Sequence, residues 1–401
     1  MSQRKRPKIE EDDLAGFKYF KKIAALLERL HGAGCTRDRA GNRQLHMDQY
    51  LALLLLFMFN PICQSLRGLQ QASELKKVQR LLGAPRSSLG SLAEAATVFD
   101  AQLLEGLIGE LVSQLRPVSH DARLDQVRDI ITLVDGSWLT DLPRVVRWAL
   151  FRQGHRAAKV HIEFEVLKGV PVALTVTNAH VSEPTVLKAR LQAGRCYVVD
   201  RGYAEYALFQ AIHDAESHFV GRLQDNAVLE GIEERPLSAE ATRAGILRDT
   251  VGRLGCKLRR EDLKIPVRVI EVACTPHRKP SGKTGRGGPE QGDRLRLVTD
   301  LVDLPPELIG LLYRARWQIE TFFRTFKHLL GCRHLLSYSE NGIALQTYAA
   351  ILACLLIALW TGRRPSLRTY EMLCYYFSGW ADLEEVEAHL ARLPEQPVAA
   401  L

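Results

Sequence analysis

The sequence contains no pair of cysteines at CxxC spacing. Its eight cysteines, at positions 35, 63, 196, 256, 274, 332, 354 and 374, are scattered through mostly apolar stretches. That pattern excludes a zinc ribbon or finger and predicts reduced, buried thiols. Apolar runs long enough for a bilayer are also missing. The longest, Tyr50 to Phe59 and Tyr348 to Trp360, fall short of the roughly 18 to 20 residues that a span requires and read as core helices. The N-terminus, MSQRKRPKIEEDD, has no apolar segment behind its basic residues, so it does not read as a secretory signal and the chain is expected to stay inside the cell. Strand patterns are missing from the first 130 residues, residues 226–300 hold no Trp, Tyr or Phe, and no internal repeat is visible.

What is present describes a globular protein. The 401 residues, 46% hydrophobic and 25% charged, suffice for two or three domains with a sizeable core. Lys and Arg number 54 against 46 Asp and Glu, a net charge of +8, which favours a polyanionic partner through long-range attraction and counterion release.

Apolar periodicity predicts helices over Asp13–Leu30, Met47–Phe59, Leu75–Leu82 and Leu92–Leu115. Within them, LKKVQRLLGAPRSSLGSLAEA has helix-turn-helix order, with Lys76, Lys77, Arg80 and Arg86 near the turn. An ordinary helical hairpin with a solvated basic face fits that stretch equally well. From Asp129 the pattern changes to strands: DIITLVDGS, then VHIEFEVLKGVPVALTVTN as a hairpin turning at Lys168-Gly169. A helix over Pro184–Gln192, the strand CYVVDRGY and a fifth strand, ESHFVGRL, follow. Hairpin, strand, helix and strand in that order imply a mixed sheet with helices on its faces. Between Gln224 and Thr299, the strands IPVRVIEVAC and RLRLVT flank a Gly-, Lys- and Arg-rich loop, residues 276–293. Its cations Arg278, Lys279, Lys283 and Arg286 suit sequence-blind phosphate contacts. Pro305 then opens a long helix.

That helix carries YRARWQIETFFRTFK, residues 313–327. On an ideal helix Tyr313, Arg316, Glu320, Arg324 and Lys327 fall on one stripe, beside an apolar seam of Leu312, Ile319, Phe322, Phe323, Phe326 and Leu330. One acid among several cations leaves a positive ledge suited to phosphate, although an exposed basic stripe with a casual salt bridge would look the same. Asp135 and Asp200 each end an apolar strand with a glycine close behind, VDGS and VDRG, which delivers a carboxylate to the edge of a sheet where ligand groups gather. Either alone would also serve as a turn or cap residue. Three carboxylates brought together repel unless cations sit among them, and oxygen ligands of this kind select Mg²⁺ or Mn²⁺. Two such ions support in-line displacement at phosphorus.

The motifs LVDGS and YVVDRGY and the spacing Tyr313-x2-Arg316-x3-Glu320-x6-Lys327 resemble the DDE transposases of the bacterial insertion-sequence type-four family, whose signature is YREK. The resemblance runs from about Asp129 to Leu336. It implies an α/β fold with an RNase H-like mixed sheet flanked by helices, a β-rich insertion before the last catalytic helix and an all-helical N-terminal domain. The implied boundaries are a DNA-binding domain at 1–128, a catalytic core at 129–224 and 300–340, an insertion at 225–299 and a C-terminal assembly region at 341–401. Asp135, Asp200 and Glu320 would be the catalytic, metal-binding triad for two Mg²⁺ ions, with Mn²⁺ as a substitute, while Tyr313, Arg316 and Lys327 would contact DNA phosphates. Arg324 shares their stripe. Trp317 adjoins it, with packing as its plainer role.

Lys159 and His161, on one face of a strand, are similar to a basic pair common in these enzymes, and a half-exposed strand would look alike. Arg201 and Arg222 are further candidates for DNA contact. The implied reaction is cut-and-paste transposition on double-stranded DNA, at terminal inverted repeats and then target DNA. The implied enzyme is a bacterial homodimer in the cytoplasm, associated with the nucleoid, with neither a membrane nor a small-molecule substrate. The lack of aromatics in 226–300 counts against a base-stacking wedge there, and so against a hairpin intermediate, unless Trp317 or Tyr203 takes that role. Two other readings share the residues: a two-metal nuclease or resolvase of the same fold, and a non-catalytic DNA-binding protein derived from a transposase. A glycosidase would not require the cationic stripe.

Overall fold

A computed structural model describes residues 26–33, 37–38, 41–60, 62–118, 120–139, 147–149, 157–255, 263–274, 294–329 and 335–392. The loop cations Arg278, Lys279, Lys283 and Arg286 and most of the helix expected from Asp13 lie outside the described residues. The chain divides into two compact units, one of residues 1–116 with 324–395, the other of residues 117–323 with 396–401.

After a single helical turn at Leu30–Ala33, the first unit contains α1 (Met47–Phe59), nearly all of it buried, followed by α2 (Leu66–Ser73), α3 (Lys76–Leu82), α4 (Leu89–Val98) and α5 (Leu104–Gln114). Serines start two of these helices: Ser65 Oγ accepts from Gly68 N–H and Ser88 Oγ from Ser91 N–H, each satisfying a donor that the first helical turn leaves free. The single helix expected over Leu92–Leu115 is interrupted because Asp100 accepts from Gln102 N–H and begins a new turn. Between α3 and α4, Gly83 adopts φ +63°, and the expected helix, break and helix are present with Lys76, Lys77 and Arg80 exposed and Arg86 paired to Glu74 at 3.3 Å.

The second unit is built on a sheet. Its elements in order are β1 (Ile130–Leu139), β2 (Ala158–Glu165), β3 (Val170–Asn178), α6 (Glu183–Lys188), β4 (Arg195–Val199), α7 (Tyr206–Asp214) and β5 (His218–Arg222). Then come β6 (Leu229–Glu234), β7 (Ile246–Leu254), β8 (Val267–Ala273), β9 (Arg294–Thr299), α8 (Pro306–Ala315) and α9 (Trp317–Leu329), whose residues from Arg324 onward belong to the first unit. The nine strands form one sheet in the order β3-β2-β1-β4-β5-β9-β8-β7-β6. β1 is antiparallel to β2 and parallel to β4; β4 is parallel to β5, and β5 is antiparallel to β9. Residues 225–299 therefore continue the core sheet through β9 rather than forming a sheet of their own. The outermost strand, β6, is LEGIEE with its acidic residues largely exposed, and charge of this kind on an edge discourages further pairing. One face of β4 and β5 buries Tyr197, Val199 and Phe219 against Leu208, Phe209 and Ile212 of α7, with the Phe209 and Phe219 rings stacked at 4.4 Å.

The long helix expected after Pro305 is two, α8 and α9, joined by a tighter turn at Arg316. There Arg316 N–H donates to Tyr313 O and Ile319 N–H to Arg316 O, both at 3.1 Å and three residues apart. Leu312, Ile319, Phe322 and Phe323 are buried as the apolar seam predicts, and Phe322 meets Phe164 of β2 at 5.4 Å between ring centroids.

The chain closes with α10 (Glu340–Thr361), α11 (Leu367–Phe377) and α12 (Leu383–Arg392), back in the first unit. By length and mean hydropathy, 2.1, α10 could cross a membrane, but 89% of its most apolar window is buried inside the protein. It packs on α1, α4 and α5 as the core of that unit. Cys63, Cys196, Cys354 and Cys374 are buried and in no disulfide, and Cys274 is half-buried.

Candidate active site

Adjacent parallel strands bring the two aspartates level. Leu133 of β1 stands opposite Val198 of β4, so Asp135 and Asp200, each two residues further on, reach the same height on strands about 5 Å apart. Asp200 begins the short turn Arg201–Tyr203 without capping it with its side chain; instead its Oδ1 accepts a hydrogen bond from the Tyr313 hydroxyl at 3.1 Å. Asp135 Oδ1 accepts from Gly136 N–H at 2.7 Å. On α9, Glu320 Oε1 pairs with Arg316 Nη2 at 2.7 Å, one helical turn away.

The charges interact. Burial pushes the Asp135 carboxyl up to about 6; the Gly136 N–H and Arg316 oppose the rise, while the nearby charges of Glu183 and Asp200 add to it. Burial also opposes the charge of Arg316, but Tyr313, Asp200, Glu320 and Asp135 together outweigh it and hold the guanidinium above its ordinary value. One arginine is thus within electrostatic reach of all three predicted acids. Its guanidinium carbon lies 5.7 Å from the Tyr313 ring centroid, and its Nε is buried without a hydrogen-bond partner. Tyr313 is pushed up to about 12, first by burial and then by Asp200, so it remains a phenol and a donor at any ordinary pH.

Among the described residues, no three His, Cys, Asp or Glu side chains stand close enough together to hold a metal ion. Like charges repel, and the carboxylates take the nearest donors instead, Glu320 the Arg316 guanidinium and Asp200 the Tyr313 hydroxyl. The donor set still suits a hard divalent cation. All its ligand atoms are carboxylate oxygens, and Asp135 carries a buried negative charge next to two others.

The remaining candidates are spread more widely. β2 is buried along nearly its whole length rather than half exposed, and this removes His161 as a surface phosphate contact. The His161 imidazole, 4% exposed, bonds Thr177 Oγ1 at 2.9 Å, and burial, aided by the Lys159 charge, lowers its pKa to about 4. Lys159 is also buried; its ammonium meets Glu183 Oε1 at 2.6 Å and lies 5.1 Å from the centre of the Trp138 ring. Arg201 is exposed and 3.8 Å from Asp225. Arg222 ends β5 close enough to Tyr313 for its charge to act on the phenol. Trp317 is 54% exposed, contrary to a packing role, and Arg324 and Lys327 are exposed further along α9. Sequence reasoning missed Glu183, which stands at the start of α6 against the glycines of both aspartate motifs. The signal was those glycines themselves, Gly136 and Gly202.

The sequence matches the Transposase DDE domain over residues 145–356, more than half of the chain; the match takes in Asp200, Tyr313, Arg316, Glu320 and Lys327 and starts just beyond β1. A protein of Sinorhizobium fredii named as a transposase is 29% identical over 234 residues, 58% of this chain and 61% of that protein, so the chain spans less than two thirds of that relative's length. A Geobacillus stearothermophilus protein named as the transposase of insertion sequence element IS5377 is 22% identical over 76% of this chain and 77% of its own. A solved piggyBac transposase synaptic complex with hairpin DNA is similar over 95% of this chain and 84% of that one, at 10% identity and a TM-score of 0.40. With its two strand-end aspartates, its tyrosine and arginine around them and the family match over residues 145–356, the chain belongs to the transposase DDE domain family.

Proposed function

We propose that the protein is an insertion-sequence transposase that cleaves DNA at the ends of its element and joins the freed 3′ hydroxyl to target DNA. The observation that carries this reading is the largely buried guanidinium of Arg316, one group in electrostatic reach of Asp135, Asp200 and Glu320 at once. It is paired to an acid where a phosphate would compete for it. The strand order β3-β2-β1-β4-β5, with β2 antiparallel to its neighbours, supports an RNase H-like core.

In this reading Asp135, Asp200 and Glu320 hold two Mg²⁺ ions. When bound, these ions supply charge stabilisation at the attacking and leaving oxygens. Glu320 joins the set by leaving Arg316, and the released guanidinium turns to a DNA phosphate, a bidentate partner it matches as well as a carboxylate. Tyr313 holds Asp200 in place through its hydroxyl. Arg324 and Lys327 supply phosphate contacts along α9, the α3–α4 segment reads the inverted repeats, and two copies pair two ends.

Supercoiled plasmid incubated with protein, Mg²⁺ and a precleaved oligonucleotide ending in the element's terminal repeat tests the reading. Covalently joined oligonucleotide is the expected product. Hydrolysis without joining would make the protein a nuclease of the same fold.

A further inference from the structure

Gly136 directly follows Asp135, and Gly202 stands two residues after Asp200. Both glycines face one carboxylate. A β-carbon at position 136 would lie 2.5 Å from Glu183 Oε1 and 3.0 Å from Lys159 Cε, and one at position 202 would lie 3.3 Å from Glu183 Oε2. The first distance is inside any real carbon–oxygen contact, so the missing side chain is what admits the acid. Neither glycine is there for backbone freedom, because neither has a positive φ.

Glu183 is fixed from its own side as well. It opens α6, whose start is set by Ser182 Oγ accepting from Thr185 N–H at 3.3 Å and by Pro184 in the first turn. α6 packs on both β1 and the Arg201–Tyr203 turn. The carboxylate is held by Lys159 at 2.6 Å, with both side chains largely buried. The β1–β2 register sets Lys159 opposite Trp138, whose ring the ammonium also meets.

We propose that Glu183, clamped by Lys159, is a positioning residue that wedges between the two aspartate-bearing backbones and fixes the separation of Asp135 and Asp200. It acts on the carboxylates rather than joining them, because its own carboxylate is taken by the Lys159 ammonium. The pair has a second effect. Lys159 stands beside the Asp135 backbone, so without Glu183 its ammonium is left free to compete with a cation for Asp135.

This inference rests on the transposase reading of the site, and its test separates the two. Binding of Mn²⁺ is measured by titration calorimetry on the full chain, alongside the Mg²⁺ concentration for half-maximal nicking of end DNA. Glu183→Gln keeps shape and removes charge; the expected result is Mn²⁺ binding weakened roughly 10- to 100-fold, the range for groups that orient metal ligands, with a matching rise in the Mg²⁺ requirement. Gly136→Ala should act alike by displacing the wedge, and Gly136→Ala with Glu183→Ala should be no worse than Glu183→Ala alone. Should Glu183→Gln fail to fold, Glu183→Asp, which keeps the charge and withdraws it from both glycines, is expected to show the same loss in part. Unchanged Mn²⁺ binding in a folded Glu183 variant overturns the positioning role. A wild-type protein that binds no Mn²⁺ and does not nick overturns the reading of the whole site instead.

Discussion

Asp135 is a carboxyl group that its surroundings discourage from ionising. Its ordinary value of 3.8 rises to about 6 on burial, so between those values the folded protein binds more protons than the unfolded chain. Stability from this group therefore falls as pH rises through that window, and the metal-free fold carries the cost in full near neutral pH. A divalent cation offsets that cost. We expect Mg²⁺ to raise the unfolding temperature near neutral pH, with the gain shrinking below about pH 5, and Asp135→Asn to abolish it; an equal gain at both pH values contradicts the assignment. Asp135, Asp200 and Glu320 stood out in the sequence as candidates because a strand-ending acid followed by glycine, and one acid in a cationic helical stripe, leave local patterns. Glu183 left none of its own, because a glutamate in the first turn of a helix is ordinary; Gly136 and Gly202 signal a close approach without naming the group that makes it. The burial of His161 was hidden for the same reason, since alternation along β2 does not reveal that both of its faces are covered.

At the scale of elements, α8 and α9 depend on how the preceding strands are tied. Arg268 of β8 is fully buried and forks onto Asp249 of β7, Nε to Oδ1 at 2.8 Å and Nη2 to Oδ2 at 2.7 Å. Its Nη1 donates to the Val302 carbonyl at 3.2 Å and also to that of Leu304, in the segment that leads into α8. The pair thus pins the outer strands to the helix that presents Tyr313. Arg268→Ala strips the buried Asp249 carboxylate and the Leu304 carbonyl of this donor, and should destabilise the second unit by about 3 to 5 kcal/mol. Adding Asp249→Leu should recover much of that in thermal denaturation. If Arg268→Ala unfolds like wild type, the pair does not tie these elements. Among the elements, β1 to β5 were legible as apolar runs with turn residues between them. β6 and β7 were not, because an edge strand rich in acids and a strand reading ILRDTVGRL carry no clean alternation. The turn at Arg316 was invisible too, since its backbone stays in the right-handed helical region and only the hydrogen-bond spacing tightens.

For the molecule as a whole, the sequence placed boundaries at 128 and 340, whereas the compact units change at 116 and 323. The second boundary passes through α9, leaving Glu320 in one unit and Lys327 in the other. Continuous helical periodicity across residues 317–329 conceals such a division, which depends on what each half packs against. Membership of the transposase DDE domain family was legible from three short motifs. The central claim is that Glu320 belongs to the catalytic acids and is not merely a partner for Arg316. The direct test is Mg²⁺-dependent nicking of end DNA by Glu320→Gln, with end binding followed in parallel by gel shift. The account predicts binding retained and nicking lost by roughly three orders of magnitude or more, as removal of a group essential to the chemistry does; nicking at the wild-type rate would contradict it.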